Sequence, residues 1–270
     1  MRVPDEVLKC VVFVGLLPVP SNDQKPFHFI GTAFFISMPS GKEGTRFVYL
    51  ITAKHVAEKL AHKQFLLRMN NKRGSSDFAI GDGAEWFTHP SDDSVDVAVL
   101  PYAPSLDEFD YKTIGVETFL TDDVIRVKNI GVGDEVFITG LFAHVCGFRR
   151  NLPIMRIGNI AMMPDEAIPT KDFGNIDACL VEARSIGGLS GSPVFVRETV
   201  PVGIGSFYLL GLMHGHWEIS ANRKNDLLGD ELGSVNMGIA IVIPAKKIME
   251  VLNHPDLIEK RRKANERLLG

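Results

Sequence analysis

The sequence predicts an all-β protein made of two β-rich halves and closed by a C-terminal α-helix. Three observations predict it. Short apolar runs, rich in β-branched and aromatic residues, recur between Gly/Pro/Asn/Asp clusters over the first four-fifths of the chain. Such spacing suits a sandwich or barrel better than alternating β/α units. Periodicity lapses around Pro101, Pro104, Asp107 and Asp110, and beyond Pro244 the composition turns to Lys, Glu, Arg and Leu. The expected organisation is residues 1–105 as one half, 106–130 as a crossover, 131–244 as the second half and 245–270 as the helix.

Each element has its own signal. In the first half the strand-like runs are Val11–Val14, Phe29–Ile36, Phe47–Thr52, Phe65–Leu67, Ala84–Phe87 and Val95–Leu100. Pro39-Ser40-Gly41-Lys42 is a turn between two of them, and Ala53–Ala61 reads as a short helical turn. In the second half the runs are Glu135–Thr139, Met155–Ile160, Ala178–Ala183, Val194–Val196, Phe207–Met213 and Gly238–Ile243. Trp217–Asn236 is long, polar and glycine-bearing, which predicts a surface loop. In the tail, Ile248, Val251 and Leu252 share one helical face, and Pro255 divides or kinks the helix.

Composition narrows the function classes. At 270 residues and 45% hydrophobic, the chain can bury a sizeable core. A net charge of -4 gives no global reason to expect nucleic acid or an anionic membrane as partner. Lys260-Arg261-Arg262-Lys263 reads as a solvated helix face. Cys10, Cys146 and Cys179 are odd in number and lack metal-ligand spacing, so neither a disulfide framework nor a metal site is expected. No run approaches the roughly 18 apolar residues of a membrane span, and the start lacks a signal-peptide pattern. The expectation is a soluble, cytoplasmic protein without cofactor.

The chemistry concentrates at Gly187-Gly188-Leu189-Ser190-Gly191-Ser192-Pro193, between two apolar runs. Glycines on both sides of a serine permit a turn that pushes the hydroxyl outward and aims backbone N–H groups at one point. Taken alone, it is equally a Gly/Ser turn between strands. His55 follows an apolar strand, and Asp96 is a single carboxylate in an apolar run. Burying that carboxylate is costly unless it is hydrogen-bonded, and an imidazole N–H is a suitable partner. The held imidazole then offers its other nitrogen to a serine hydroxyl.

These stretches resemble the trypsin/chymotrypsin-like serine peptidases. Thr52-Ala53-Lys54-His55 resembles their Thr-Ala-Ala-His, Asp96-Val97-Ala98-Val99-Leu100 their Asp-Ile-Ala-Leu-Leu, and Gly188–Pro193 their Gly-Asp-Ser-Gly-Gly-Pro. Gly31-Thr32-Ala33-Phe34 resembles the Gly-Ser/Thr-Gly-Phe strand before the histidine. The order His, Asp, Ser is theirs too. Met237–Pro244 resembles the Gly-Phe-Ala-Ile-Pro strand of the bacterial HtrA-type members, here as a peptidase core without a PDZ module. The resemblance covers about residues 10–245. It implies two six-stranded antiparallel β-barrels with a site in the cleft between them.

Carried over residue by residue, the resemblance makes Ser190 the nucleophile, His55 the base and Asp96 its orienting acid. The N–H groups of Gly188 and Ser190 form the oxyanion hole. The implied activity is a serine endopeptidase acting on polypeptides; the alternatives are a silent scaffold of that fold or an esterase-like hydrolase. Ser192 is the competing serine and is assigned a packing role. Arg184 and His214 are the candidate substrate-binding residues, for acidic or glutamine side chains. Leu189 stands where secreted trypsins have an aspartate, so activation by an inserted N-terminus is not expected. The Trp217–Asn236 loop and the C-terminal helix are where a regulatory protein partner would act.

Overall fold

The computed structural model describes residues 3–16, 27–80, 84–170, 173–183, 188–201, 203, 205–220 and 234–269. The first half starts with α1 (Asp5–Lys9), β1 (Val11–Leu16), β2 (His28–Pro39), β3 (Arg46–Thr52) and α2 (Lys54–Leu60). It continues through β4 (Phe65–Asn70), β5 (Ser76–Ile80), β6 (Ala98–Pro101) and β7 (Ile114–Gly115). The sheet order is β5-β4-β1-β2-β3-β6, with β7 added parallel to β2. β2 is buried through Gly31–Ser37 because both of its faces are covered. On one side Phe35 meets the Tyr111 ring at 4.6 Å, and Phe34 and Ile36 join the same apolar cluster.

The second half holds α3 (Asp122–Lys128), β8 (Glu135–Gly140), β9 (Ile154–Met162), β10 (Ile168–Thr170) and β11 (Gly174–Ile176). β12 (Cys179–Glu182), β13 (Pro193–Arg197), β14 (Phe207–Ser220) and β15 (Ser234–Pro244) complete it. Six of these strands close a barrel in the order β12-β15-β14-β13-β8-β9. Successive side chains of a strand point to opposite faces, and that alternation builds the core. The pairs Val136/Ile138, Cys179/Val181, Val194/Val196 and Ala240/Val242 all point inward and are buried.

Two helices follow. α4 (Ala245–Leu252) buries Ala245, Ile248, Val251 and Leu252 on one face, and α5 (Pro255–Leu269) buries Leu257. Pro255 has no N–H to continue the first helix, so the chain breaks at Asn253-His254 and restarts. The basic run on α5 is neutralised locally. Arg262 pairs with Glu259 and Glu266, Lys263 with Glu259, and Lys260 with Glu85.

Several expectations need correction. Among the described residues, the hydrogen-bonded strand path of the first half ends at β5 and β6, whereas that of the second half closes on itself. β6 is only four residues long and ends at Pro101, which cannot donate to a ladder. Ala84–Phe87 is not a strand; Phe87 makes one isolated bridge to Val99. Val95–Leu100 becomes strand only at Ala98, so Asp96 lies in the segment just before β6. The predicted Trp217–Asn236 loop is partly hairpin, with Glu218, Ile219 and Ser220 registered against Asn236, Val235 and Ser234; its remainder, 221–233, lies outside the described residues.

Candidate active site

The serine turn is fixed from the first half of the chain. Thr32 of β2 donates its N–H to the Ser190 carbonyl at 3.0 Å and its hydroxyl to the Gly188 carbonyl at 2.9 Å. The same hydroxyl accepts from the Leu141 N–H at 2.9 Å. Ser192 N–H bonds the Leu189 carbonyl, and Gly191 N–H bonds the Met213 carbonyl, both at 2.9 Å. Gly188 and Gly191 sit at φ +97° and +83°, a region that favours glycine. Leu189, the departure from the secreted trypsins, is fully buried in the barrel core. Ser192 is also fully buried and its Oγ has no hydrogen-bond partner among the described residues, whereas Ser190 is half-buried and lines the cleft.

His55 and Asp96 come together as the sequence predicts. Asp96 Oδ1 accepts the backbone N–H of His55 at 2.9 Å, and Oδ2 lies 2.8 Å from His55 Nδ1. His55 is the second residue of α2, so Asp96 takes one of the N–H groups that a helix start leaves unpaired. Burial, the largest influence on Asp96, pushes its carboxyl upward. Hydrogen bonds from His214 and His55 outweigh it and hold the group below the ordinary aspartate value.

His214 is the surprise of the site. Its Nδ1 lies 2.6 Å from Asp96 Oδ2, the oxygen that already serves His55. The ring is turned onto the aspartate, and His214 also lines the cleft. The two imidazoles meet edge to face, 5.8 Å between centroids. Phe173, at the tip of the β10–β11 hairpin, meets His55 at 6.3 Å and His214 at 5.1 Å, in both cases edge-on. A cleft of about 1060 Å³ runs past His55, Ser190, His214, Phe173, His216 and Trp217.

The Ser190 hydroxyl is not aimed at His55. Its hydrogen bond goes to the His214 carbonyl at 3.2 Å. Thus His55 and Ser190 line one cleft with Asp96 buried against His55, but the serine–imidazole bond is not made in this arrangement. Arg184 lies outside the described residues. Phe173 and Thr32 were not read from sequence as site residues. Thr32 had a signal, the Gly31-Thr32 pair of a recognisable strand; Phe173 had none.

His55, Asp96 and His214 also bring potential ligand atoms within 4.8 Å of one another. Both imidazole Nδ1 atoms are already spent on the Asp96 carboxylate.

The fold is similar to that of trypsin-like protease domains of the HtrA type. Solved structures share the architecture. The MamO protease domain from Magnetospirillum magneticum, in its apo form, has a TM-score of 0.55 at 16% identity, covering 92% of this chain and 98% of that one. The HtrA-type protease AlgW with a decapeptide gives 0.54 at 17% identity, over 94% of this chain and 66% of AlgW. Deg5 gives 0.51 at 16% identity, over 91% and 88%. No protein-family profile and no curated protein sequence matches the chain. At these identities the likeness establishes the fold. Among the described residues, no helix is long and apolar enough to cross a membrane.

Proposed function

We propose that the chain is a serine endopeptidase with Ser190 as nucleophile. One observation carries the reading: a His55–Asp96 pair stands in the same cleft as a serine on a glycine-flanked turn. On this reading, rotation about the Ser190 side chain moves its hydroxyl from the His214 carbonyl to His55 Nε2. His55 takes the proton as Ser190 Oγ attacks the carbonyl carbon of a peptide bond, and later gives it to the leaving amine. Asp96 holds the imidazole with Nδ1 protonated and stabilises its charged form. The N–H groups of Gly188 and Ser190 are assigned to the oxyanion that develops. The mechanism uses no cofactor.

A second reading, a scaffold of the same fold without turnover, is favoured by the Ser190 hydroxyl's bond to the His214 carbonyl. A fluorophosphonate probe separates the two. Labelling of the wild type and of Ser192→Ala, but not of Ser190→Ala, is the expected result. No labelling of the wild type overturns the nucleophile assignment. Comparing casein or peptide cleavage with ester hydrolysis then distinguishes peptidase from esterase.

A further inference from the structure

We propose that His214 is a positioning residue of this site, acting on the acid through its side chain and on the alcohol through its carbonyl. The inference rests on the endopeptidase reading and deepens it. An ionised carboxylate only accepts hydrogen bonds, and each of its oxygens offers about two lone-pair sites. Asp96 is fully buried, so water does not fill those sites. Oδ1 takes the His55 N–H, and Oδ2 takes two imidazole nitrogens, at 2.8 Å from His55 and 2.6 Å from His214. For both contacts to be hydrogen bonds, each ring must carry its proton on Nδ1. In the neutral His55 ring this leaves Nε2 unprotonated, the form in which it accepts a proton from serine.

Removing the His214 donor would leave a lone pair of a buried carboxylate unsatisfied, which is costly. It would also leave the carboxylate held by the two His55 contacts alone, which loosens the orientation of the pair. Phe173 closes the arrangement from outside by packing edge-on against both rings. The His214 carbonyl meanwhile accepts the Ser190 hydroxyl. One residue therefore touches both ends of the set, the acid through its ring and the alcohol through its carbonyl.

The test uses three substitutions. In His214→Asn the side-chain amide N–H sits two bonds beyond Cβ, as Nδ1 does. In His214→Gln it sits one bond further, and His214→Leu has no donor. With a fluorophosphonate under saturating conditions, the maximal labelling rate should fall roughly ten- to a hundredfold for His214→Leu. The half-saturating concentration should barely move. His214→Asn should recover most of the rate, and His214→Gln much less. Equal rates in wild type and His214→Leu overturn the proposal, as does a folded His214→Asn no better than His214→Leu.

A second measurement needs no turnover. Low-field proton spectra of Ser190→Ala should show two aspartate-bound imidazole N–H resonances, and only one once His214→Asn is added. A single resonance in Ser190→Ala overturns the shared carboxylate even if the enzyme is active. Two resonances in a protein that never labels would retain the His214 contact and reject the endopeptidase.

Discussion

Gly191→Ala tests how tightly the serine turn is built. A Cβ on Gly191 would lie 2.1 Å from the Thr32 carbonyl oxygen and 2.4 Å from Thr52 Oγ1. These two atoms are themselves hydrogen-bonded at 2.7 Å and buried between β2 and β3, so neither can step aside cheaply. The backbone adds a second cost, because φ is +83°. Left-handed backbone costs an alanine about 1–2 kcal/mol. Overpacking a filled interior costs about 1–3 kcal/mol more. The expected loss is therefore about 2–5 kcal/mol. Gly133→Ala is the matched control: φ is +96°, but nothing lies within 4 Å of the added carbon. It should show only the backbone cost, about 1–2 kcal/mol. Urea unfolding of both variants measures the difference. Equal losses would refute the close contact, and with it the tight fit of the turn against Thr32 and Thr52.

Two further outcomes follow from the ionisable groups. Asp96 is held below its unfolded value, so its contribution to stability is present above about pH 4 and is lost as pH falls through the lower folded value. The stability gap between wild type and Asp96→Asn should be widest at neutral pH and narrow in acid; a pH-independent gap in denaturant titrations contradicts this. Burial pushes the Cys10 thiol far up and the Cys179 thiol to about 12, while Cys146 is partly exposed. A thiol reagent at mild alkaline pH should modify Cys146 first in the native protein, as mass spectrometry of the labelled peptides would show. Early modification of Cys10 would contradict its burial.

Much of the barrel was legible because its strands alternate cleanly: Val136/Ile138 and Val194/Val196 are buried neighbours at a spacing of two. The elements that escaped notice are short or polar. β5 begins Ser76-Asp77, β7 has two residues, and β10 contains Pro169. α3 did carry readable ends. Thr121 Oγ1 accepts from the Val124 N–H, two aspartates open the helix, and Asn129 closes it at φ +53°. Within the site, His55 and Asp96 were readable because each interrupts an apolar stretch. The His214 contact was not: it joins residues 118 positions apart, and no local pattern encodes which way a ring turns. The same holds for the Ser190 hydroxyl, whose partner is a backbone carbonyl 24 residues away.

The grip of Thr32 on the Gly188 and Ser190 carbonyls has a temporal consequence. During synthesis Thr32 is made 156 residues before Gly188, whose carbonyl it holds. The turn bearing Ser190 thus meets a template already made, and its shape depends on the later half of the chain docking against the earlier one.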